Sequence, residues 1–117
     1  MNRIIFLLMM IAFPLLVSAQ NYHSRQAQTY QREAERYEHQ AQSYEREENY
    51  YNHQAQKYMR DAEYYSKRKR QDMADSYLKK AKMANDKAED YKRKADNARK
   101  RAAEYKRKAR SAEKKSK

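Results

Sequence analysis

The sequence predicts an all-α protein in which a signal peptide precedes long helices that form an antiparallel coiled-coil hairpin with Ala/Tyr heptad seams. Three observations support this fold class. The 117 residues include no Gly and a single Pro, so the usual turn and loop signals are missing. Good helix formers such as Ala, Glu, Lys, Arg and Gln dominate the composition. A fourteen-residue unit, equal to two heptads, recurs along most of the chain.

The first nineteen residues have the pattern of a secretory signal peptide. Arg3 supplies a basic start, residues 4–17 form an unbroken apolar run, and Val17, Ser18 and Ala19 resemble a cleavage site of small residues. The apolar run is shorter than the ~20 residues that a membrane-spanning helix needs. We therefore expect export to a periplasm or the extracellular space, with a mature chain that begins at Gln20.

The repeats divide into two arrays of three units each, and each array carries its own apolar seam. The units cover residues 26–39, 40–53 and 54–67 in the first array, and residues 74–87, 88–101 and 102–115 in the second. The first seam combines Ala27, Ala34, Ala41, Ala55 and Ala62 with Tyr30, Tyr37, Tyr44, Tyr51, Tyr58 and Tyr65, and Glu48 replaces one Ala. The second seam combines Ala74, Ala81, Ala88, Ala95, Ala102 and Ala109 with an alternation of Tyr77, Ala84, Tyr91, Ala98, Tyr105 and Ala112. Alternating steps of four and three residues predict a coiled coil.

The two arrays are out of phase, which predicts a reversal of the chain between them. Ala27 and Ala74 are 47 residues apart, or six heptads plus five. Five extra residues rotate a helical stripe by roughly 140–150°, so one straight helix would present the two seams on nearly opposite faces. The cations at residues 67–70 suit a helix C-terminus, and Asp72 can cap a second helix. We predict a first arm of residues 20–71 and a second arm of residues 72–117; a pair of long kinked helices is the alternative.

An antiparallel register in which Ala62 faces Tyr77 pairs every seam Tyr with a small residue except Tyr91, which faces Glu48. Large residues against small ones pack better than Tyr against Tyr, and a phenol can donate a hydrogen bond to a carboxylate. Charge agrees with this pairing, because residues 20–65 carry a net −2 and residues 66–117 a net +13. A core of this size is small, so we expect self-association or pairing with another coiled-coil protein.

The sequence offers no pattern for catalysis, cofactor binding or metal binding. There is no Cys, and His39 and His53 are fourteen residues apart, or ~21 Å along a helix. Neighbouring carboxylates such as Glu47 and Glu48 lie on a helix without the cleft that acid–base chemistry requires. Metalloprotease and phosphate-loop motifs are missing. We predict that the protein is not an enzyme and has no cofactor.

The second arm carries a recurrent basic stripe that is the main candidate for a binding surface. One interpretation is a solvated helix face; the other is a surface for a polyanion such as lipopolysaccharide, an acidic membrane or an acidic glycan. Nucleic acid is chemically eligible but is less expected outside the cytoplasm. The candidate residues are Lys92, Arg93, Lys94, Arg99, Lys100, Arg101, Lys106, Arg107, Lys108 and Arg110, with Tyr50 and Tyr64 as exposed aromatic contacts.

These observations predict an exported, non-catalytic structural or interaction protein of the cell envelope or secreted space, with polyanion binding through the second helix as the alternative. The Ala-rich seam and the basic, Lys-ended tail resemble small coiled-coil proteins of the bacterial envelope such as the murein lipoproteins. The resemblance is one of architecture and assigns no role to any residue. The lipidated Cys of those proteins has no counterpart here.

Overall fold

The structure, a computed structural model, describes the backbone of residues 2–116 and the side chains of residues 21–116. It contains two long helices, α1 (Asn2–Lys67) and α2 (Gln71–Ser116). The described residues include no strand, and the predicted all-α class is confirmed. The predicted signal peptide lies outside the residues whose side chains are described. Among the described residues, no helix is long and apolar enough to cross a membrane.

The chain forms two compact units, and each contains segments of both helices. One unit, Glu38–Lys100, includes the reversal between α1 and α2. In this unit the late residue Tyr65 contacts the early α2 residue Tyr77, and Tyr44 contacts the later Tyr91, so the helices are antiparallel. The other unit comprises Met1–Tyr37 and Arg101–Lys117. Here Tyr37 contacts Tyr105 and Gln31 binds Glu113, which shows the same antiparallel pairing.

The reversal is a three-residue turn that closes α1 with a Schellman motif. The amide of Arg70 donates to the carbonyl of Tyr65 (2.9 Å) and the amide of Lys69 donates to that of Ser66 (3.1 Å), which are the two hydrogen bonds that define this motif. Lys69 has a φ of 57°, the left-handed conformation that such a position requires and that Gly usually supplies. A turn without Gly is therefore built at the cost of some backbone strain.

The start of α2 differs slightly from the prediction. We expected Asp72 to cap the second helix, but the amide of Ala74 donates to the carbonyl of Arg70 (3.0 Å), which makes Arg70 the N-cap residue. Asp72 instead lies in the first turn of α2. There its carboxylate still interacts favourably with the positive end of the helix dipole.

The core of the described residues consists of alanines. Every seam Ala of both arrays is at most 5% exposed, and the described residues include no buried polar or charged side chain. The seam tyrosines are partly exposed. Small side chains let the two helix backbones approach closely, so each Tyr ring lies along the margin of the interface rather than inside it. The core residues are Ala27, Ala34, Ala41, Ala55, Ala62, Ala74, Ala81, Ala84, Ala88, Ala95, Ala98, Ala102, Ala109 and Ala112.

The ring contacts agree with the predicted register and add contacts between rings that were not predicted. Tyr77 contacts both Tyr58 and Tyr65, which flank Ala62 in the seam, so Tyr77 faces Ala62 as expected. The expectation paired every seam Tyr except Tyr91 with a small residue, and it did not include the contacts that rings also make with rings on the other helix. A Tyr side chain is long enough to reach the neighbouring layers, which a comparison of directly opposed positions overlooks.

Tyr91 does not pair with a carboxylate. Among the described residues no hydrogen bond joins Tyr91 to Glu48; its ring instead lies against Tyr44 and Tyr51, with centroid distances of 6.1 and 5.7 Å. Glu48 is thus a partly exposed carboxylate at a position where the other repeats of α1 bury Ala.

Candidate interaction surface

The seam tyrosines form three groups of three rings, which we call the Tyr triads. Each triad places one α2 ring against two α1 rings that are seven residues apart. In every triad one α1 ring is stacked on the α2 ring at 5.5–5.7 Å, and the other is tilted by 32–37° at 6.0–6.2 Å. The triads are Tyr30–Tyr105–Tyr37, Tyr44–Tyr91–Tyr51 and Tyr58–Tyr77–Tyr65.

The direction of helical side chains explains which pair stacks. Side chains on a helix lean toward its N-terminus. Because α1 and α2 are antiparallel, Tyr91 and Tyr51 lean toward each other and stack with an interplanar angle of 8°. Tyr44 leans away from Tyr91, and its ring is tilted by 37°. The same reasoning accounts for the other two triads.

The triads also explain the fourteen-residue period. α1 carries a seam Tyr every seven residues, whereas α2 carries one every fourteen, and each α2 seam Tyr is followed seven residues later by Ala84, Ala98 or Ala112. One α2 ring therefore contacts two α1 rings, and the next α2 seam position is a buried Ala. A full cycle of the interface takes one triad and one Ala layer, which is two heptads of each helix.

A row of cations on α2 faces the triads, and we call these residues the ring-facing cations. In each case the charged group lies 4.9–6.0 Å from one or two ring centroids, within the range of a cation–π interaction. Lys94, for example, lies 5.0 Å from Tyr91 and 6.0 Å from Tyr44. The set recurs every seven residues and comprises Lys80, Lys87, Lys94, Arg101 and Lys108.

Sequence reasoning missed this role, although a signal for it is present. Each ring-facing cation immediately precedes a seam Ala of α2, at the same heptad position in five consecutive heptads. Read as part of a broad basic stripe, this regularity is easily overlooked. A cation that recurs at one heptad position beside the seam indicates that its side chain has a partner on the other helix.

Arg101 shows the closest link between a cation and a ring hydroxyl. Its guanidinium donates a hydrogen bond to the Tyr37 hydroxyl oxygen at 3.3 Å, and the group lies 5.7 Å from the Tyr37 ring centroid. This hydrogen bond, together with the electrostatic interaction with Tyr37, raises the pKa of Arg101 above its ordinary value. The Arg101 side chain is exposed and stays charged, so the effect of its hydrogen bond is to orient the Tyr37 hydroxyl.

The structure separates the ten predicted polyanion-binding residues into groups. Lys94, Arg101 and Lys108 are ring-facing cations. Arg93 pairs with Asp90 on its own helix, and Arg99 pairs with Asp96 and with Glu45 of α1. Lys106 also has an interaction partner. The remaining four are exposed and make no ion pair, hydrogen bond or ring contact with described residues, and we call them the outward cations: Lys92, Lys100, Arg107 and Arg110.

The two predicted aromatic contacts are exposed, as their positions beside the seam suggest. Tyr50 is 56% exposed and Tyr64 is 50% exposed. Each makes an edge-to-face contact with the seam Tyr that follows it, at 5.2 Å for Tyr50 and 5.1 Å for Tyr64. The guanidinium of Arg68 lies 3.5 Å from the Tyr64 ring centroid, so one face of that ring is covered. Tyr50 is therefore the more available of the two.

The concavities in the unit that contains the turn are shallow and open. One of about 230 Å³ lies between Lys80 and Lys87, with Ala84 and Met83 in its lining. Another of about 400 Å³ lies near the turn between Met59 and Leu78. The described residues include no group of three or more His, Cys, Asp or Glu side chains arranged to hold a metal ion. His39 and His53 are exposed, and His53 Nδ1 lies 2.8 Å from the carbonyl oxygen of Asn49.

The described surface therefore offers ordered aromatic rings, ordered cations and exposed unpaired cations. In comparisons with models of known protein families, with characterised protein sequences and with solved structures, the chain matched none.

Proposed function

We propose that the protein is an exported, non-catalytic coiled-coil protein of the cell envelope or secreted space, whose function is structural and is exerted through protein–protein association. The observation that carries this proposal is the use of the repeated spacing itself: apart from Glu48, the seam positions of both arrays are devoted to helix pairing, with Ala in the core and Tyr in the triads. The concavities that seam residues help to line are shallow and open. The same arrangement of rings occurs in each of the three triads.

Export is supported by the pattern of residues 1–19. The test is to express the chain with its own N-terminus in a bacterial host and to measure the mass of the product recovered from each compartment. A periplasmic or secreted product that begins at Gln20 supports export. A product retained in the cytoplasm or membrane fraction with residues 1–19 attached contradicts it.

Polyanion binding is the second candidate, and the four outward cations favour it. Residues 66–117, which include α2, carry a net charge of +13 and create a strong positive potential. A cation without a partner gives up no existing contact when it binds an anionic surface. The ring-facing cations provide a matched control, because they have the same charge but an assigned partner. The proposed roles can therefore be separated without changing net charge between variants.

The experiment compares two triple variants of the full chain. The outward variant combines Lys92→Gln, Lys100→Gln and Arg107→Gln; the control combines Lys94→Gln, Arg101→Gln and Lys108→Gln. Both remove two Lys and one Arg. Each protein is co-sedimented with anionic vesicles that contain lipopolysaccharide, across a salt series that passes about 150 mM, where the Debye length is about 8 Å.

Two outcomes distinguish the candidates. Binding by the unaltered chain at about 150 mM salt, with a much larger loss in the outward variant than in the control, supports a polyanion-binding module. No binding at that salt concentration leaves the structural function, and sedimentation equilibrium should then show a concentration-dependent increase in mass. If the chain neither binds the vesicles nor self-associates, the structural proposal requires a different coiled-coil protein as its partner. A monomer that also retains no coiled-coil partner from the same compartment contradicts the structural proposal.

A further inference from the structure

Three pairs of tyrosines place a ring of α1 almost parallel to a ring of α2. The interplanar angles are 12° for Tyr37 and Tyr105, 8° for Tyr51 and Tyr91, and 4° for Tyr65 and Tyr77. The corresponding centroid distances are 5.7, 5.7 and 5.5 Å. At these values the two rings of each pair are nearly parallel and laterally offset.

We propose that these three stacked pairs are sites of oxidative cross-linking, and that each yields a dityrosine bond between α1 and α2 of the same chain. The oxidant is hydrogen peroxide acting through a haem peroxidase. The peroxidase removes one hydrogen atom from each of two phenol hydroxyls, and the two phenoxyl radicals form a carbon–carbon bond between their ortho positions. Each ortho carbon then releases its hydrogen as a proton, and each oxygen takes one up. One peroxide is reduced to two waters for each bond formed.

The geometry favours coupling within a chain over coupling between chains. Phenoxyl radicals combine when two of them meet, and each α2 ring of a triad already lies against a ring of α1. The triad rings are partly buried between the helices, which limits their contact with rings of another molecule. Tyr50 and Tyr64 are half exposed, and their ring partners are edge-on residues of the same helix.

The stacked pairs are also favoured over the tilted ones. In the triad of Tyr91, the stacked ring of Tyr51 is 5.7 Å away, and the tilted ring of Tyr44 is 6.1 Å away. The leaning of helical side chains brings the stacked pair together and separates the tilted pair. The chain has no Cys, so a carbon–carbon link between tyrosines is a covalent reinforcement that its own side chains make available.

The cross-linking depends on ring geometry and not on where the protein acts, so it is tested separately from the proposed function. The full chain at low concentration is treated with a haem peroxidase and limiting hydrogen peroxide. Dityrosine fluorescence, the apparent size on a denaturing gel and mass spectrometry of tryptic peptides are then measured. We expect a monomeric product, lighter by two hydrogen atoms per link, whose cross-linked peptides join Tyr37 to Tyr105, Tyr51 to Tyr91 and Tyr65 to Tyr77.

Phe substitutions provide matched controls, because Phe retains the ring and its packing but has no phenol hydrogen to lose. Tyr91→Phe should remove the link to Tyr51 and about one third of the intramolecular dityrosine, and leave the other two links. Tyr50→Phe should leave all three links unchanged. Circular dichroism verifies that both variants are as helical as the unaltered chain.

Three results would overturn the proposal. The first is a product in which most dityrosine joins two chains. The second is a set of linked peptides dominated by Tyr22, Tyr50 and Tyr64, which are the exposed tyrosines. The third is a Tyr91→Phe variant whose intramolecular dityrosine equals that of the unaltered chain.

Discussion

The central ring of a triad should contribute more to stability than any other single side chain of its repeat. Tyr91 is the sharpest test, since it contacts Tyr44 and Tyr51 and lies 5.0 Å from the charged nitrogen of Lys94. We predict that Tyr91→Ala lowers the free energy of unfolding by about 4.5 kcal/mol. We predict that Tyr91→Phe changes it by less than about 0.5 kcal/mol, because the Tyr91 hydroxyl makes no hydrogen bond with described residues.

The magnitude follows from the contacts. Loss of roughly 100 Å² of buried ring surface at about 25 cal/mol/Å² costs about 2.5 kcal/mol. Two ring pairs contribute about 1 kcal/mol each beyond burial, and the Lys94 contact contributes about 0.5 kcal/mol. The better helix propensity of Ala returns about 0.5 kcal/mol.

Urea unfolding followed by circular dichroism measures this difference. With a slope of about 2 kcal/mol/M, a loss of about 4.5 kcal/mol lowers the midpoint by about 2.3 M. Tyr44→Ala, which removes a tilted outer ring, should cost about half as much as Tyr91→Ala. Tyr50→Ala should cost less than about 1 kcal/mol, because the side chain is 56% exposed. If Tyr91→Ala costs no more than Tyr50→Ala, the triads do not stabilise the fold.

Three further substitutions, two of them with a matched control substitution, test other parts of the structure by the same urea assay. Lys94→Gln should destabilise by about 1 kcal/mol through lost cation–π contacts, and Lys92→Gln by less than about 0.5 kcal/mol; equal costs would remove the distinction between ring-facing and outward cations. Glu48→Ala should stabilise by about 0.5–1 kcal/mol, since it replaces a partly buried carboxylate with the residue found elsewhere in that seam, and a loss of stability would reveal a role for the carboxylate. Lys69→Gly should stabilise by about 1 kcal/mol because Gly accepts a φ of 57°, whereas Lys57→Gly inside α1 should cost about 1 kcal/mol; the opposite order would contradict the assigned turn.

The alanine seams and the register could be predicted from sequence because they depend on periodicity alone. Steps of three and four residues define which side of a helix is apolar, and a change of phase near residue 70 indicates where that side must turn. The pairing of Tyr77 with Ala62 then follows from matching large with small positions. All of this concerns where Cβ atoms lie, which spacing determines.

The triads and the ring-facing cations could not be obtained in the same way. They depend on where long side chains end, several ångströms from their own Cβ atoms. Tyr91 faces Glu48 by position but contacts Tyr51 because both side chains lean along their helices. Lys94 belongs by position to a basic stripe, yet its charged group is 5.0 Å from a ring centroid. Composition and spacing classify such residues, and only the direction of the side chain distinguishes their roles.

The pairing of one α2 ring with two α1 rings restricts how the length of this protein can change. Consider the removal of seven residues from α1 together with the seven residues of α2 that face them. An α2 Tyr would then occupy a layer in which an Ala now faces an Ala, and the order of layers would be broken where the remaining segments join. Removal of fourteen residues from each helix, about 21 Å of each, would leave the order intact. Homologous chains with this interface should therefore differ in length by whole pairs of repeats, in increments of twenty-eight residues, and internal duplication is the simplest route by which such a protein grows.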